Sequence, residues 1–110
     1  MNSTTLIGNL ADRIETRQGN GEPVASFRMA TNEKWKNAQG EAQEQTYWHR
    51  VVCFGWVARA VDGLPKGSRV IVIGKAVERS YDKDGEPRYI HEVRAQVVGL
   101  VCMEPTSAKP

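Results

Sequence analysis

The sequence predicts an all-β domain, a small five-stranded barrel with one helix between the third and fourth strands. Five segments rich in β-branched and aromatic residues alternate between apolar and polar side chains, as half-buried strands do. Clusters of glycine, asparagine and proline separate these segments, and only one stretch has helical spacing of its apolar residues. A chain of 110 residues suits one domain with a modest core.

The first two strands are predicted at residues 4 to 10 and 24 to 32. Gly8 indicates a bend or bulge in the first strand, which Arg13 to Arg17 continue beyond an irregularity. Because side chains alternate across a strand, Arg28 in the second strand points away from the core.

The third predicted strand, Q-T-Y-W-H-R-V-V-C-F-G at residues 45 to 55, carries the residues most indicative of function. Alternation puts Trp48, Arg50 and Phe54 on one side and Val51 on the other. A small barrel has no partner for a buried guanidinium, so the side that carries Arg50 faces outward. Exposed rings beside a cation either stack on the bases of a single nucleic-acid strand or are buried by another subunit. The strand alone leaves both interpretations open.

A polar segment at residues 33 to 44 joins the second and third strands, with N-A-Q-G at the tip of a loop or protruding hairpin. Trp35 lies in this segment between Lys34 and Lys36. A tryptophan with so little core nearby either folds back onto its own hairpin or contacts a nucleobase or a partner protein.

The one predicted helix covers residues 56 to 64, and Gly63, Pro65 and Gly67 end it. Its core-facing positions follow the i, i+3, i+4, i+7 spacing and are Val57, Ala60, Val61 and Leu64. Trp56, at its start, is not assigned to a site.

The fourth predicted strand covers residues 69 to about 81, and its outer side falls into two zones. The first zone, Ile71 and Ile73, suits burial against a second subunit. The second zone combines cations with a ring, although a solvated charged edge is the alternative interpretation. It consists of Lys75, Arg79 and Tyr81.

The turn D-K-D-G-E-P at residues 82 to 87 leads into the fifth predicted strand, residues 88 to 101. Alternation there puts two sets on opposite sides of the strand: Tyr89, His91, Val93, Ala95 and Val97 on one, and Arg88, Ile90, Glu92, Arg94 and Gln96 on the other. Residues 104 to 110 have little to bury and are expected to form a short flexible end, so the barrel domain is predicted at residues 1 to 103.

Charge and residue types exclude several classes of function. A net charge of +2 and a pI near 8.7 permit a polyanionic partner without requiring one. Cys53 and Cys102 match no metal spacing and are interpreted as apolar residues in a reducing compartment. His49 and His91 have no third ligand or catalytic partner at a spacing typical of metal sites or active sites. We therefore expect no metal, no cofactor and no enzymatic activity. Without a signal peptide or a long apolar run, the protein is expected to be soluble and cytoplasmic, with no membrane partner.

Five strands with one helix after the third form the element order of an OB-fold, a partly open Greek-key barrel that can bind oligonucleotides. Fold alone does not give function. However, three separate segments place rings beside cations, around Trp35, Trp48 and Tyr81. A flexible single strand offers a flat face at every base and a charge at every phosphate, so one ligand would explain all three segments.

Five blocks of sequence occur in a characteristic order: L-I-G-N-L from Leu6, V-A-S-F-R-M-A-T-N-E-K-W from Val24, E-Q-T-Y-W-H-R-V-V-C-F-G from Glu44, K-G-S-R-V from Lys66 and D-x-x-G-x-x-R-Y from Asp82. Through these blocks the sequence resembles the bacterial and organellar single-stranded DNA-binding proteins, from about Thr4 to Leu100. The resemblance implies an OB-fold that assembles as a homotetramer built from dimers. DNA would wind over its outer faces without sequence preference.

Carried over residue by residue, the resemblance implies DNA contacts and subunit contacts. The stacking positions are Trp35, Trp48, Phe54 and Tyr81. The cations that contact the DNA backbone are Arg50, Arg79 and Lys34, to which the charge pattern adds Lys36, Arg28 and Lys75. The subunit contacts are Leu6 and His49, to which the apolar zone adds Ile71 and Ile73.

Two departures from the family pattern qualify these expectations. The family often has tryptophan where Tyr81 stands, and more basic residues than V-E-R-S at residues 77 to 80, so binding through that region is expected to be weaker. The family's long Gly/Pro/Gln-rich tail with an acidic tip is absent from this sequence, which is either a shortened or a naturally tailless form, so the sequence gives no support for recruitment of replication and repair enzymes through such a tip.

The favoured interpretation is a non-enzymatic, nucleoid-associated protein that coats single-stranded DNA during replication, recombination and repair. The alternative is a protein-interaction module of the same fold, such as a primosomal adaptor, whose rings dock a partner protein.

Overall fold

A computed structural model describes residues 1 to 101 of the chain. It contains five long strands, one strand of two residues and one helix. In chain order these are β1 (Thr4–Leu10), β2 (Arg17–Gln18), β3 (Pro23–Lys36), β4 (Ala42–Phe54), α1 (Gly55–Val61), β5 (Arg69–Lys83) and β6 (Glu86–Leu100).

The strands form one sheet in the order β1-β5-β6-β4-β3-β2, and an additional pairing of β1 with β3 closes it into a barrel. All neighbouring strands are antiparallel except β4 and β6, which are parallel over two pairs, Val51 with Val93 and Val52 with Arg94. Five long strands with a helix between the third and fourth of them make this an OB-fold, which confirms the predicted fold class.

The core lies inside the barrel and consists of the inward-facing residues of each strand. Met29, Val51, Val70 and Val72 are fully buried there, and α1 contributes Val57, Ala58 and Val61. Cys53 lies on the same side of β4 as Val51, because side chains two residues apart share a face, and it is buried in this core. Its thiol is free. Cys102 falls outside the described residues, as does the predicted flexible end at residues 104 to 110.

Two hairpins extend past the barrel as arms with little buried surface. The first arm is the distal half of β3 and β4, whose turn is fixed by Asn37: its side-chain oxygen accepts hydrogen bonds from the backbone N–H groups of Gln39 and Glu41, both at 2.9 Å. The second arm is the distal half of β5 and β6. Its two turn residues, Asp84 and Gly85, both have positive φ, as a tight hairpin requires. Both hairpin turns were predicted, but the strands extend further than expected.

The predicted continuation of the first strand at residues 13 to 17 is wrong. Only Arg17 and Gln18 pair as a strand, with β3. Ile14 is buried, and its backbone N–H donates to the carbonyl of Leu64 at 3.0 Å while its own carbonyl accepts from Gly63 at 2.9 Å. The backbone of Ile14 therefore makes its hydrogen bonds to the loop after α1 instead of to a neighbouring strand, so the segment does not extend the sheet.

Of the bend or bulge predicted at Gly8, the bulge is absent, because the register between β1 and β5 runs unbroken through it. Next to Gly8, β1 pairs with β3, and a side chain at Gly8 would overlap the backbone carbonyl of Ala30. The glycine therefore permits the close approach that closes the barrel.

The helix is shorter than predicted and buries a different set of residues. It ends at Val61, because Asp62 leaves the helical conformation and Gly63 has a φ of 86°. Ala58 packs in the core while Ala60 is exposed, and Leu64 packs against the core from the following loop.

Val97 does not share the side of Val93 and Ala95, in contrast to the predicted alternation. A register shift on β6 opposite Ile73 and Gly74 leaves Gln96 without a partner on β5, so the inward side changes from Val93 and Ala95 to Val98. Tyr89 and His91 have the inward parity but lie on the arm, beyond the barrel, and are exposed.

Candidate nucleic-acid interface

The outward side of β4 presents the residues that the sequence singled out. Trp48, Arg50 and Phe54 are all exposed, and the Trp48 residue keeps 61% of its surface accessible. Val52 has the same parity but is buried outside the main core cluster. Tyr47, which has the opposite parity, lies on the arm and is exposed as well.

Each of the two outward rings on β4 has a guanidinium beside it. The Cζ atom of Arg28 lies 5.6 Å from the centroid of the Trp48 ring, and that of Arg94 lies 5.5 Å from the centroid of Phe54. These distances are typical of cation–π contacts. Three strands supply these groups, because Arg28 is on β3 and Arg94 on β6. We call Arg28, Trp48, Arg50, Phe54 and Arg94 the arginine–ring face.

Two carboxylates pair with guanidiniums of this surface. Asp12 Oδ2 lies 3.3 Å from Arg28 Nη2, and both side chains are largely exposed. Glu92 Oε1 lies 3.8 Å from Arg50 Nε and accepts a hydrogen bond from Arg79 Nε at 3.2 Å. The guanidiniums of Arg28, Arg50, Arg79 and Arg94 carry four positive charges, and the two carboxylates carry two negative charges. The surface is therefore positive, which suits an anionic ligand.

A small cleft lies between β4 and β6, on the N-terminal side of their two paired positions. Its volume is about 170 Å³. It is lined by Trp48, His49, Arg50, Ala76, His91, Glu92 and Val93. A ligand in this cleft would reach Trp48 and Arg50 together.

Trp35 lies on the first arm, away from the arginine–ring face. Alternation along β3 puts Lys34 and Lys36 on the side that Arg28 occupies, and Trp35 on the opposite side. All three nevertheless line one cleft of about 490 Å³, together with Ala42, Gln43 and Glu44. The predicted ring and its neighbouring cations therefore have opposite parity on the arm but share this cleft.

The second arm keeps its predicted ring and cations on one side. Lys75, Arg79 and Tyr81 share the outward parity of β5. Tyr81 is exposed and pairs across the arm with Arg88, while Lys75 lies opposite Arg94. A positive surface thus continues from the arginine–ring face onto this arm.

The four residues predicted at subunit contacts fall into two groups. Ile71 and Ile73 face outward and are partly exposed. They extend into an apolar patch with Ile7, which pairs with Ile71, and with Val97, which pairs with Ile73. Leu6 instead packs against the core, and Ile7 is the apolar residue of β1 that points outward.

His49 has the inward parity of β4 and is partly buried at the base of the first arm. Its Nε2 and the Thr31 hydroxyl share a hydrogen bond of 2.8 Å. Partial burial lowers the pKa of the imidazole from its ordinary value, because the charged form loses hydration. His91, by contrast, lies 3.3 Å from Glu78 on the exposed second arm.

Sequence reasoning missed Arg94 and Glu92 as parts of this surface. Alternation put both on the same side of the fifth predicted strand, but their contacts depend on the register of β4 against β6, which rests on two residue pairs. Trp56, which was assigned to no site, is the most exposed of the three tryptophans at 75%.

Within residues 1 to 101, no group of three or more His, Cys, Asp or Glu side chains is placed to hold a metal ion. No helix of this part of the chain is long and apolar enough to cross a membrane.

Comparison with solved structures identifies several similar proteins. One is the Plasmodium falciparum SSB in complex with ssDNA, with 30% identity and a TM-score of 0.81 over 94% of this chain and 96% of that one. Two others are the wild-type single-stranded DNA binding protein from Thermus aquaticus, with 29% identity and a TM-score of 0.80, and its deletion mutant R190A, with 28% identity and a TM-score of 0.82. Each alignment covers 92% of this chain and 50% of the Thermus protein, so this chain spans about half the length of those relatives.

The match to a family model is more extensive than any single motif of the sequence. The model of the single-strand binding protein family aligns with residues 1 to 101, which are also the residues that form the barrel and its two arms. The chain therefore belongs to the single-strand binding protein family.

Proposed function

We propose that this protein binds single-stranded DNA without sequence preference, through its outward rings and the guanidiniums beside them. The observation that carries the proposal is the pairing of Trp48 with Arg28 and of Phe54 with Arg94 on one exposed face. Each ring can stack on a base and each cation can meet a phosphate, which is the chemistry of unpaired strands. The family to which the chain belongs and the ssDNA complex of the Plasmodium relative support the same conclusion.

The surface offers shape and charge rather than a reader of base edges. Stacking tolerates any base because every base has a π-face, and guanidiniums bind every phosphate alike. We therefore propose that the protein covers exposed strands in replication, recombination and repair at the nucleoid. It would do so by binding alone, without an enzymatic step.

We also propose that the protein assembles as a homotetramer built from dimers. The apolar patch of Ile7, Ile71, Ile73 and Val97 supports this, since neighbouring exposed apolar residues mark association surfaces. Light scattering tests the assembly directly. Ile73→Lys is expected to lower the mass of the assembly, and Gln18→Lys is the matched control for added charge, because Gln18 is exposed on β2, which pairs only with β3 and does not border that patch.

Tryptophan fluorescence tests DNA binding residue by residue, since the chain has three tryptophans. Trp35→Phe with Trp56→Phe leaves Trp48 as the reporter, and Trp48→Phe with Trp56→Phe leaves Trp35. Stacking quenches indole emission, so a dT oligomer is expected to quench both reporters. Trp48→Ala is expected to lose about 1 to 3 kcal/mol of binding free energy.

The alternative function, docking of a partner protein, predicts a different result in the same titration. In that case neither reporter would respond to oligonucleotide, and the mass of the protein would not rise when oligonucleotide is added. Either observation would contradict the proposal of DNA binding.

A further inference from the structure

Glu92 is the one charged side chain among residues 1 to 101 that is buried, and it lies on the surface proposed to bind DNA. A buried carboxylate is unfavourable unless cations or hydrogen-bond donors compensate it. A negative charge on this surface also repels a phosphate backbone. Its presence there therefore calls for a physical reason.

The sheet order supplies the first part of that reason. β6 lies between β5 and β4, so Glu92 sits between Arg79 on one neighbouring strand and Arg50 on the other. Both arginines reach the same oxygen, Oε1, and the Glu92 side chain is only 5% exposed, whereas the arginine side chains are nearly half exposed.

The atoms involved supply the second part. Both arginines approach the carboxylate with Nε, which of the three guanidinium nitrogens is the one nearest the main chain. Within the described residues, neither guanidinium has another ion pair or hydrogen bond. Their terminal nitrogens therefore stay available to a ligand, and the planar guanidinium can offer them in a fixed direction.

Asp12 provides a contrast on the same surface. It meets Arg28 at Nη2, a terminal nitrogen, and 62% of its side chain is exposed. A phosphate that binds Arg28 would compete with Asp12 for that nitrogen. Glu92 leaves the corresponding nitrogens of Arg50 and Arg79 free.

We propose that Glu92 is a positioning residue, which holds Arg50 and Arg79 as one two-guanidinium site for a backbone phosphate of single-stranded nucleic acid. The proposal rests on the proposed DNA binding and specifies which residues of that surface bind a backbone phosphate. The carboxylate fixes two long side chains before the ligand arrives, so binding loses less conformational entropy. The cleft between β4 and β6 opens beside this site and gives access to it.

The test compares Glu92→Gln with Asp12→Asn, because each change removes one negative charge beside an arginine. Charge alone predicts that both variants bind a dT oligomer more tightly than the unchanged protein. Positioning by Glu92 predicts opposite results: Asp12→Asn binds as tightly or more tightly, whereas Glu92→Gln loses roughly 3- to 10-fold in affinity. Its salt dependence should also become shallower, by about 0.7 in the log–log slope if one phosphate contact is lost.

Glu92→Asp is the second variant, and it keeps the charge while withdrawing the carboxylate by one methylene. It is expected to lose affinity as well, which no charge effect explains. A double-mutant cycle of Glu92→Gln with Arg79→Met should be non-additive, because the glutamate acts through the arginine. Circular dichroism and light scattering establish that each variant is folded and assembled as the unchanged protein is. If Glu92→Gln does not fold, Glu92→Asp decides the question.

Two outcomes would overturn the proposal. If Glu92→Gln binds as tightly as the unchanged protein or more tightly, Glu92 is a competing charge or a structural residue. If Glu92→Asp keeps full affinity, the position of the carboxylate is irrelevant. Both differ from failure of DNA binding itself, in which the unchanged protein would not bind the oligomer.

Discussion

Arg28 and Arg50 are direct cross-strand partners on β3 and β4. Like charges placed opposite each other destabilise a sheet. Here each arginine lies near a different carboxylate, Arg28 near Asp12 and Arg50 near Glu92. Arg28 also lies over Trp48. Two cations are thereby kept side by side at the place where a polyanion is proposed to bind, and their separate roles can be tested.

Arg28→Met is expected to weaken binding of a dT oligomer and to reduce its salt dependence. Loss of one phosphate contact lowers the log–log slope by about 0.7. Arg28→Lys keeps the charge and is expected to keep the slope. Fluorescence titrations over a range of salt concentrations measure both quantities. A weaker affinity with an unchanged slope would mean that Arg28 acts on the Trp48 ring and not on a phosphate.

Gly8→Ala is expected to destabilise the barrel by about 1 to 3 kcal/mol or more. The added methyl group would overlap the carbonyl of Ala30, which belongs to the backbone of the paired strand β3 and cannot turn aside. Urea unfolding followed by circular dichroism measures the change, at one protein concentration because assembly affects apparent stability.

Gly99→Ala is the matched control for Gly8→Ala. A methyl group at Gly99 would lie 3.6 Å from Ile71 Cγ2, an ordinary contact distance. This variant is expected to be neutral or slightly stabilising, since alanine restricts the unfolded chain more than glycine does. Equal stability of both variants would show that the close approach of β1 to β3 tolerates a side chain.

Stability is expected to fall as the pH decreases below about 6.5, in part through His49. Burial lowers the pKa of His49 in the folded protein, so the unfolded chain takes up a proton at a higher pH than the folded one. Between those two pKa values the unfolded state binds more protons, and acidification therefore favours unfolding.

His49→Gln removes the titrating group and retains a polar partner for Thr31. Urea midpoints between about pH 7.5 and pH 5 are expected to decline less in this variant than in the unchanged protein. Parallel declines in both proteins would exclude His49 as a source of the pH dependence.

Local patterns were sufficient to predict most of the fold and the outward position of four residues of the candidate site. The outward position of Trp48, Arg50, Phe54 and Arg28 follows from alternation within single strands, which depends on neighbouring residues alone. The same rule failed at Val97, because the shift at Gln96 reverses the parity of the rest of β6.

The contacts of Arg94 and Glu92 could not be predicted, because they depend on how distant strands align. The pairs Arg94 with Phe54 and Glu92 with Arg50 join β6 to β4 through a parallel register of two residue pairs. No turn connects these strands, so no local signal sets their register. A carboxylate of outward parity also gives no sign in the sequence that it will be buried, since glutamate is rarely buried unless paired.

Cys53 is expected to resist alkylation in the folded protein. It is fully buried, and burial raises the pKa of its thiol to about 11, so the reactive thiolate is scarce at neutral pH. The measurement is the rate of labelling by a thiol reagent in a Cys102→Ser background, with and without denaturing urea. Labelling should be slow in buffer and fast in urea, and Cys53→Ala in the same background gives the rate without any thiol. Rapid labelling in buffer would mean that β4 and β3 separate often enough to expose the core. A rigid arginine–ring face, four of whose five residues lie on those two strands, would then be untenable.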